Sequence, residues 1–281
     1  KKELTYEMMT NGQNDSYCYY KGNMYFGNYS SAILTRMDGN QATALFRLAD
    51  SNFNQSRIHT ICAGDDKVFA GTIPNNYNYG GVIAWYDIET GLTYVVTGPN
   101  PENVYYAKSS EITVTNTWYS AVTDEVVDFT KVWDKDEDGD GVNDSFKGPV
   151  AYQSIVKVIY SDGLLYGVTS LRAGSGAEDT PNATSSIFVY DVENMKLLKT
   201  IDLSDYIQGV PSTIYTLNSL EADPDISNKL WGTVAETLYS MTYNRETNKV
   251  TIKEEISFNK NRTNKTSSIC TPIVFDGDDM Y

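Results

Sequence analysis

Asp162-Gly163-Leu164-Leu165-Tyr166-Gly167 is a polar turn, a short apolar and aromatic stretch, and a glycine. The same order stands in Lys21-Gly22-Asn23-Met24-Tyr25-Phe26-Gly27, in Asp66-Lys67-Val68-Phe69-Ala70-Gly71 and in Asn228-Lys229-Leu230-Trp231-Gly232. A fifth copy opens at Asp276-Gly277-Asp278-Asp279-Met280-Tyr281. Because the chain stops inside that strand, it reads as part of a longer polypeptide, with the architecture incomplete at the C-terminus. A second marker precedes each copy, a serine with an apolar residue two positions later: Ser16 with Cys18, Ser56 with Ile58, Ser154 with Val156, Ser212 with Ile214, Ser267 with Ile269. Successive markers are 40, 98, 58 and 55 residues apart.

Between the copies lie β-branched and aromatic runs, Gly81-Val82-Ile83-Ala84-Trp85-Tyr86-Asp87 and Ser186-Ile187-Phe188-Val189-Tyr190-Asp191, each followed by a hairpin-like turn. One unit therefore holds four short strands joined by Gly, Asn and Asp turns. Helical periodicity is nowhere sustained. Four-stranded units of about 40 to 50 residues are the mark of β-propeller blades, which bury their faces by stacking radially. A β-sandwich or a solenoid is the rival, but the repeat length suits a blade and exceeds a β-helix coil. The expected fold is all-β, a single β-propeller of four-stranded blades over residues 1–281. Residues 98–148 are either a long insertion or a degenerate blade: Ser110 with Ile112 fits the marker, yet no apolar strand ending in glycine follows it.

Gln55-Ser56-Arg57-Ile58-His59, Gly71-Thr72-Ile73-Pro74, the run from Gly80 to Asp87, and Gln153-Ser154 before Asp162 to Gly167 resemble blades of bacterial quinoprotein-like (PQQ-like) and YVTN/WD-type propellers. The resemblance covers most of the chain outside residues 98–148. It implies an accessory module of a secreted or surface bacterial protein, in some relatives linked to polysaccharide processing. Fold alone transfers no function.

The chain has 281 residues, with 22 basic and 37 acidic side chains and a net charge of −15. That balance argues against nucleic acid, whose phosphates call for positive surface, and against an anionic membrane. No apolar run is long enough to span a bilayer, so no transmembrane segment is expected. Calcium, neutral glycans and basic proteins remain compatible partners. Cys18, Cys62 and Cys270 are widely spaced in apolar stretches and read as buried thiols, not as a zinc or disulfide framework.

Residues 134–144 read Asp-Lys-Asp-Glu-Asp-Gly-Asp-Gly-Val-Asn-Asp, six acids in eleven residues. Asp136, Asp138, Asp140, Gly141 and Asp144 follow D-x-D-x-D-G-x-x-D, which turns alternate carboxylates toward one hard cation. The loop resembles those of thrombospondin type 3 repeats, dockerins and EF-hands. Asp136, Asp138 and Asp140 would ligate calcium with the Val142 carbonyl and Asp144; Lys147 stands where an EF-hand has its last glutamate. The bland alternative is a solvated acidic turn.

Catalytic material is scarce, because His59 is the single histidine and no nucleophile elbow or P-loop is present. Three residues after the markers stand Tyr19, His59, Lys157, Tyr215 and Cys270, which successive inner strands would bring to one mouth of the central channel. His59 and Tyr215 with Arg57 and Lys157 would suit a uronate lyase, a base with cations to neutralise developing charge. The same residues could simply pack between blades. Tyr77 and Tyr79 in Asn75-Asn76-Tyr77-Asn78-Tyr79-Gly80, with Arg172 on a Gly/Ser/Thr-rich loop, form a candidate ligand-binding surface, since tyrosine offers a flat apolar face and a hydroxyl. Asn182, Asn261 and Asn264 lie in glycosylation sequons, which a bacterial host would leave unused. The favoured expectation is a non-enzymatic extracellular or cell-surface module binding a glycan or protein. A polysaccharide lyase and a purely structural module are the alternatives.

Overall fold

The computed structural model describes residues 13–39, 41–50, 52–75, 79–108, 117–133, 146–150, 153–170, 186–207, 219–234, 236–257, 273–277 and 279–281. The first blade comprises β1 (Gln13–Tyr20), β2 (Asn23–Tyr29), β3 (Ile33–Asp38) and β4 (Gln41–Arg47). The second comprises β5 (Gln55–Gly64), β6 (Lys67–Pro74), β7 (Ile83–Asp87) and β8 (Thr93–Val96). To its outer edge are added β9 (Val104–Ala107) and β10 (Trp118–Ser120), and the four-residue α1 (Phe129–Val132) follows. The third blade is β11 (Ser154–Ser161), β12 (Leu164–Ser170), β13 (Ser186–Asp191) and β14 (Lys196–Asp202). The fourth is β15 (Ser219–Ala222), β16 (Lys229–Val234), β17 (Thr237–Asn244) and β18 (Lys249–Ser257), and a hairpin of β19 (Phe275–Asp276) and β20 (Asp279–Met280) comes last. Every blade is an antiparallel meander, and the whole is an incomplete β-propeller of four-stranded blades. Among the described residues, the pair Tyr29 and Arg57 alone joins the ladders of the first two blades into one sheet.

The repeated turn has a physical cause. The two-residue loops Lys21-Gly22, Asp65-Asp66 and Asp162-Gly163 all have positive φ at both positions, 46° and 83°, 44° and 59°, 51° and 77°. That is the turn whose twist matches the flanking strands, and Gly, Asn and Asp tolerate it best. These turns also join neighbouring blades. Lys21 pairs with Asp66, the Tyr160 hydroxyl donates to Asp65 at 2.6 Å, and Asp162 accepts from the Asn228 N–H at 2.7 Å and the Ser227 hydroxyl at 3.0 Å.

Side chains alternate across a strand, so a blade covered on both sides must be apolar at successive positions. In β13, Ile187 and Val189 pack toward the fourth blade while Phe188 and Tyr190 pack toward the second. In β7, Ala84 and Tyr86 join the first blade's core, whereas Ile83 and Trp85 face the third. The three apolar clusters are thus the three seams between consecutive blades.

The glycine closing each copy sits where no side chain fits. A Cβ on Gly71 would lie 2.5 Å from a methyl of Ile155 in the next blade, and one on Gly27 would lie 2.5 Å from Ile58. Gly167 and Gly232 lie instead beneath their own blades' Phe188 and Tyr239 rings. Gly71→Ala should therefore overpack the second seam and destabilise the protein by about 1–3 kcal/mol. Denaturant unfolding monitored by tryptophan fluorescence measures this, and an unchanged midpoint would refute the tight seam.

Candidate functional site

The inner strands β1, β5, β11 and β15 lie side by side in that order. Their level is set by the residue paired with each blade glycine: Ser16 with Gly27, Thr60 with Gly71, Val158 with Gly167 and Leu220 with Gly232. On this register His59 and Lys157 stand level, together with Asp15 and Ser219. The markers Ser56 and Ser154 are level too, but Ser16 lies four residues further along. Tyr19 therefore sits roughly 13 Å down the channel from His59 at about 3.3 Å per residue. Its ring is exposed. Tyr215 and Cys270 lie outside the described residues.

Charges at this level are paired across the seams. Arg57 Nη1 stands 3.2 Å from Asp15 Oδ2, and the guanidinium lies 4.1 Å over the Tyr29 ring. The Asp15 side chain is only 7% exposed, so the pair is partly desolvated. Lys157 pairs with Glu221 of β15. Both acidic partners escaped the sequence reading, because they lie 42 and 64 residues from their cations and only blade stacking brings them near. His59 lies beside the first pair, half-buried, and its Nδ1 is buried without a hydrogen-bond partner. Burial lowers its pKa; Asp15 pulls the other way and Arg57 adds to the lowering, and the net shift is downward. Cys18 and Cys62 are free, and burial pushes both thiols up, Cys18 to about 11. Neither is thereby a ready nucleophile.

The connections between second and third strands of each blade, and those between blades, begin and end at the rim where the inner strands start. Tyr77, Arg172, Asp136, Asp138, Asp140, Val142 and Asp144 belong to these connections and lie outside the described residues. Tyr79 is described and is half-buried, its ring edge-on to Phe146 at 5.0 Å, so it serves as packing for the rim. Phe146 is also 5.1 Å from Trp133, and Trp133 Nε1 donates to the Asn52 carbonyl at 3.0 Å. Phe53, Trp118, Phe129 and Tyr105 complete this aromatic cluster. The two ends of the acidic segment are thereby held together. Among the described residues no group of three or more His, Cys, Asp or Glu side chains is placed to hold a metal. No helix among them is long and apolar enough to cross a membrane.

No protein-family model matches the chain, and no curated protein does. Among solved structures it is similar to the computationally designed Ika4 protein, at 10% identity and a TM-score of 0.40, over 90% of this chain and 98% of that one. It is also similar to a europium-containing methanol dehydrogenase, at 14% identity and a TM-score of 0.40, over 86% of this chain but only 41% of that one. A third is the GH43_1 enzyme from Xanthomonas citri, crystallised with xylotriose, at 9% identity and a TM-score of 0.33, over 88% and 74% of the two chains. Likeness at this level assigns no activity.

The opposite end of the fourth blade supplies a contrasting carboxylate. Burial alone would raise the Asp223 pKa, but Trp231 Nε1 at 2.8 Å, the N–H groups of Asp225 and Ile226, and Lys229 hold it at about 2. The two groups give two successive steps on the acid side of one pH profile. Folded His59 binds its proton more weakly than unfolded, so its contribution is full above its usual pKa of about 6.5 and declines as pH falls through that value. Asp223, depressed when folded, contributes stability above about pH 4 that is lost toward about pH 2. Denaturant unfolding from about pH 8 downward should show both losses, with His59→Gln flattening the first and sparing the second. Identical slopes in wild type and His59→Gln would reject the assignment.

Proposed function

We propose that the chain is a non-catalytic extracellular or cell-surface propeller module, related to the quinoprotein-like group, that binds a glycan or protein at the rim carrying Tyr77, Tyr79, Arg172 and the acidic loop. The observation that carries the reading is the mutual pairing of the channel-mouth charges, Arg57 with Asp15 and Lys157 with Glu221. Cations already neutralised by neighbouring carboxylates are poorly available to stabilise charge developing on a substrate. Calcium belongs to the same proposal. Asp136, Asp138, Asp140, the Val142 carbonyl and Asp144 would hold it, and the contact of Trp133 with Phe146 keeps the two residues that flank this segment close together. Without an acid at position 147 the loop would be weak, which suits the millimolar calcium outside cells.

Added calcium should raise the melting temperature, because the ion binds the folded chain preferentially. Replacing Asp136 with asparagine and Asp138 with alanine should abolish that rise and leave the calcium-free melting temperature unchanged. Calorimetry that detects no calcium binding at about millimolar concentration would refute the metal site. A glycan and protein array probed with calcium present tests the module itself, and an array without binders counts against it.

The lyase reading retains one observation in its favour, the half-buried His59 with a lowered pKa and an unpartnered Nδ1 beside Arg57. Incubation with uronate-containing polysaccharides, followed by absorbance of unsaturated product, decides between the two. Product formed by wild type and lost in a folded His59→Ala variant would replace the binding module with an enzyme.

A further inference from the structure

A second site lies at the opposite rim, independent of the loops just discussed. A cleft of about 780 Å³ opens between the Asp162 turn of the third blade and the β17–β18 hairpin of the fourth. Its volume falls within the usual range for small-ligand sites. Leu164 and Tyr243, both nearly fully buried, line its apolar part, and exposed Asn228, Thr242 and Thr251 give its walls amides and hydroxyls.

The balance of charge in this cleft is decided by which groups are already engaged. Asp162 is occupied at both oxygens, Oδ1 by the Ser227 hydroxyl and Oδ2 by the Asn228 N–H. Asp191, behind the cleft, accepts from the Asn194 backbone and side chain and pairs with Arg245 through one guanidinium nitrogen. Arg245 nonetheless keeps 46% of its side chain exposed, lines the cleft, and has N–H donors beyond the one nitrogen on Asp191. Lys249, exposed on the same wall, adds a second cation. Asp162 keeps its charge behind neutral donors and Asp191 takes up the charge of Arg245, so the cleft offers an anion the Lys249 ammonium and those Arg245 N–H donors that Asp191 leaves free, beside neutral amides and hydroxyls. Glu246, on the hairpin tip, lines the same cleft and adds a negative charge that an anionic group must avoid.

We propose that this cleft binds a short carboxylate-bearing saccharide, its uronate carboxylate on Lys249 with hydrogen bonds from the Arg245 N–H groups that Asp191 leaves free, and its hydroxyls on Asn228, Thr242 and Thr251. Guanidinium suits the carboxylate, and the neutral polar wall suits a hydroxylated ring. An acidic peptide fits less well, since the cleft has no apolar pocket to anchor a side chain beyond the buried Leu164 and Tyr243.

The test is calorimetric titration of the full chain, with calcium held constant, against oligogalacturonate, its methyl ester, a neutral xylo-oligosaccharide and an oligo-aspartate peptide. Oligogalacturonate should bind at least tenfold tighter than the other three. Lys249→Gln should weaken it about tenfold, and Glu246→Gln should tighten it, both on exposed positions that leave folding intact. Arg245→Gln removes the partner of buried Asp191, so its melting curve is recorded alongside, and Lys249→Gln decides the matter if that variant unfolds. Equal binding of the ester or the neutral sugar, preference for the peptide, or indifference to Lys249→Gln and Glu246→Gln would overturn the proposal. Chelating calcium should leave this binding unchanged, which separates failure here from failure of the rim reading.

Discussion

A β-sheet whose two faces are both apolar cannot stand in water alone. The second and third blades carry Val, Ile, Phe, Trp and Tyr on both sides, and Trp85, Phe188, Tyr166 and Tyr190 are all essentially inaccessible. Each such ring is worth several kcal/mol when buried, far more than any single ion pair in the molecule. Stacking of blade on blade is therefore the arrangement to which turns, glycines and charges are fitted. The close approach of Ile58 to Gly27 and of Ile155 to Gly71 is a direct consequence, since a seam so tight at the inner strands leaves room for hydrogen alone.

Because the faces are consumed by packing, chemistry is left to the edges and rims. At one rim Arg57, Asp15, Lys157 and Glu221 emerge beside the inner strands and settle into cross-seam pairs. Such pairs contribute modestly where exposed and more where Asp15 is nearly buried, yet breaking one would strand a charge in the seam. At the other rim the two-residue turns bind one another through Asp65, Asp66 and Asp162. The acidic residues there act as fasteners between blades, which accounts for part of the acidic composition without invoking a ligand.

The blade pattern was legible because it follows from local rules. Positive φ at the inner turn selects Gly, Asn and Asp, the seam selects glycine, and burial of both faces selects continuous apolar runs; all three can be read within a dozen residues. The level of the inner strands was only partly legible. Ser56 and Ser154 mark equivalent positions, but Ser16 matches by composition and not by register, since it pairs with its blade glycine directly while Ser56 and Ser154 stand four residues before the residues paired with theirs. Asp15 and Glu221 could not be paired with their cations from spacing, because the contact depends on which blade stands next to which. Tyr79 reads as a ligand-binding candidate in a polar, aromatic loop; its ring also packs on Phe146, a residue 67 positions away by sequence number, a contact that spacing could not show.

The aromatic cluster around Phe53 connects these observations to the acidic segment. β9 and β10 extend the second blade outward, and α1 then returns the chain so that Phe129 and Trp133 meet Tyr105 and Phe53. Phe146 arrives from the far side of the acidic segment and packs on Trp133, Phe53 and Tyr79. Hydrophobic contact thus closes the neck, and the entropy of bringing its ends together is offset by aromatic burial.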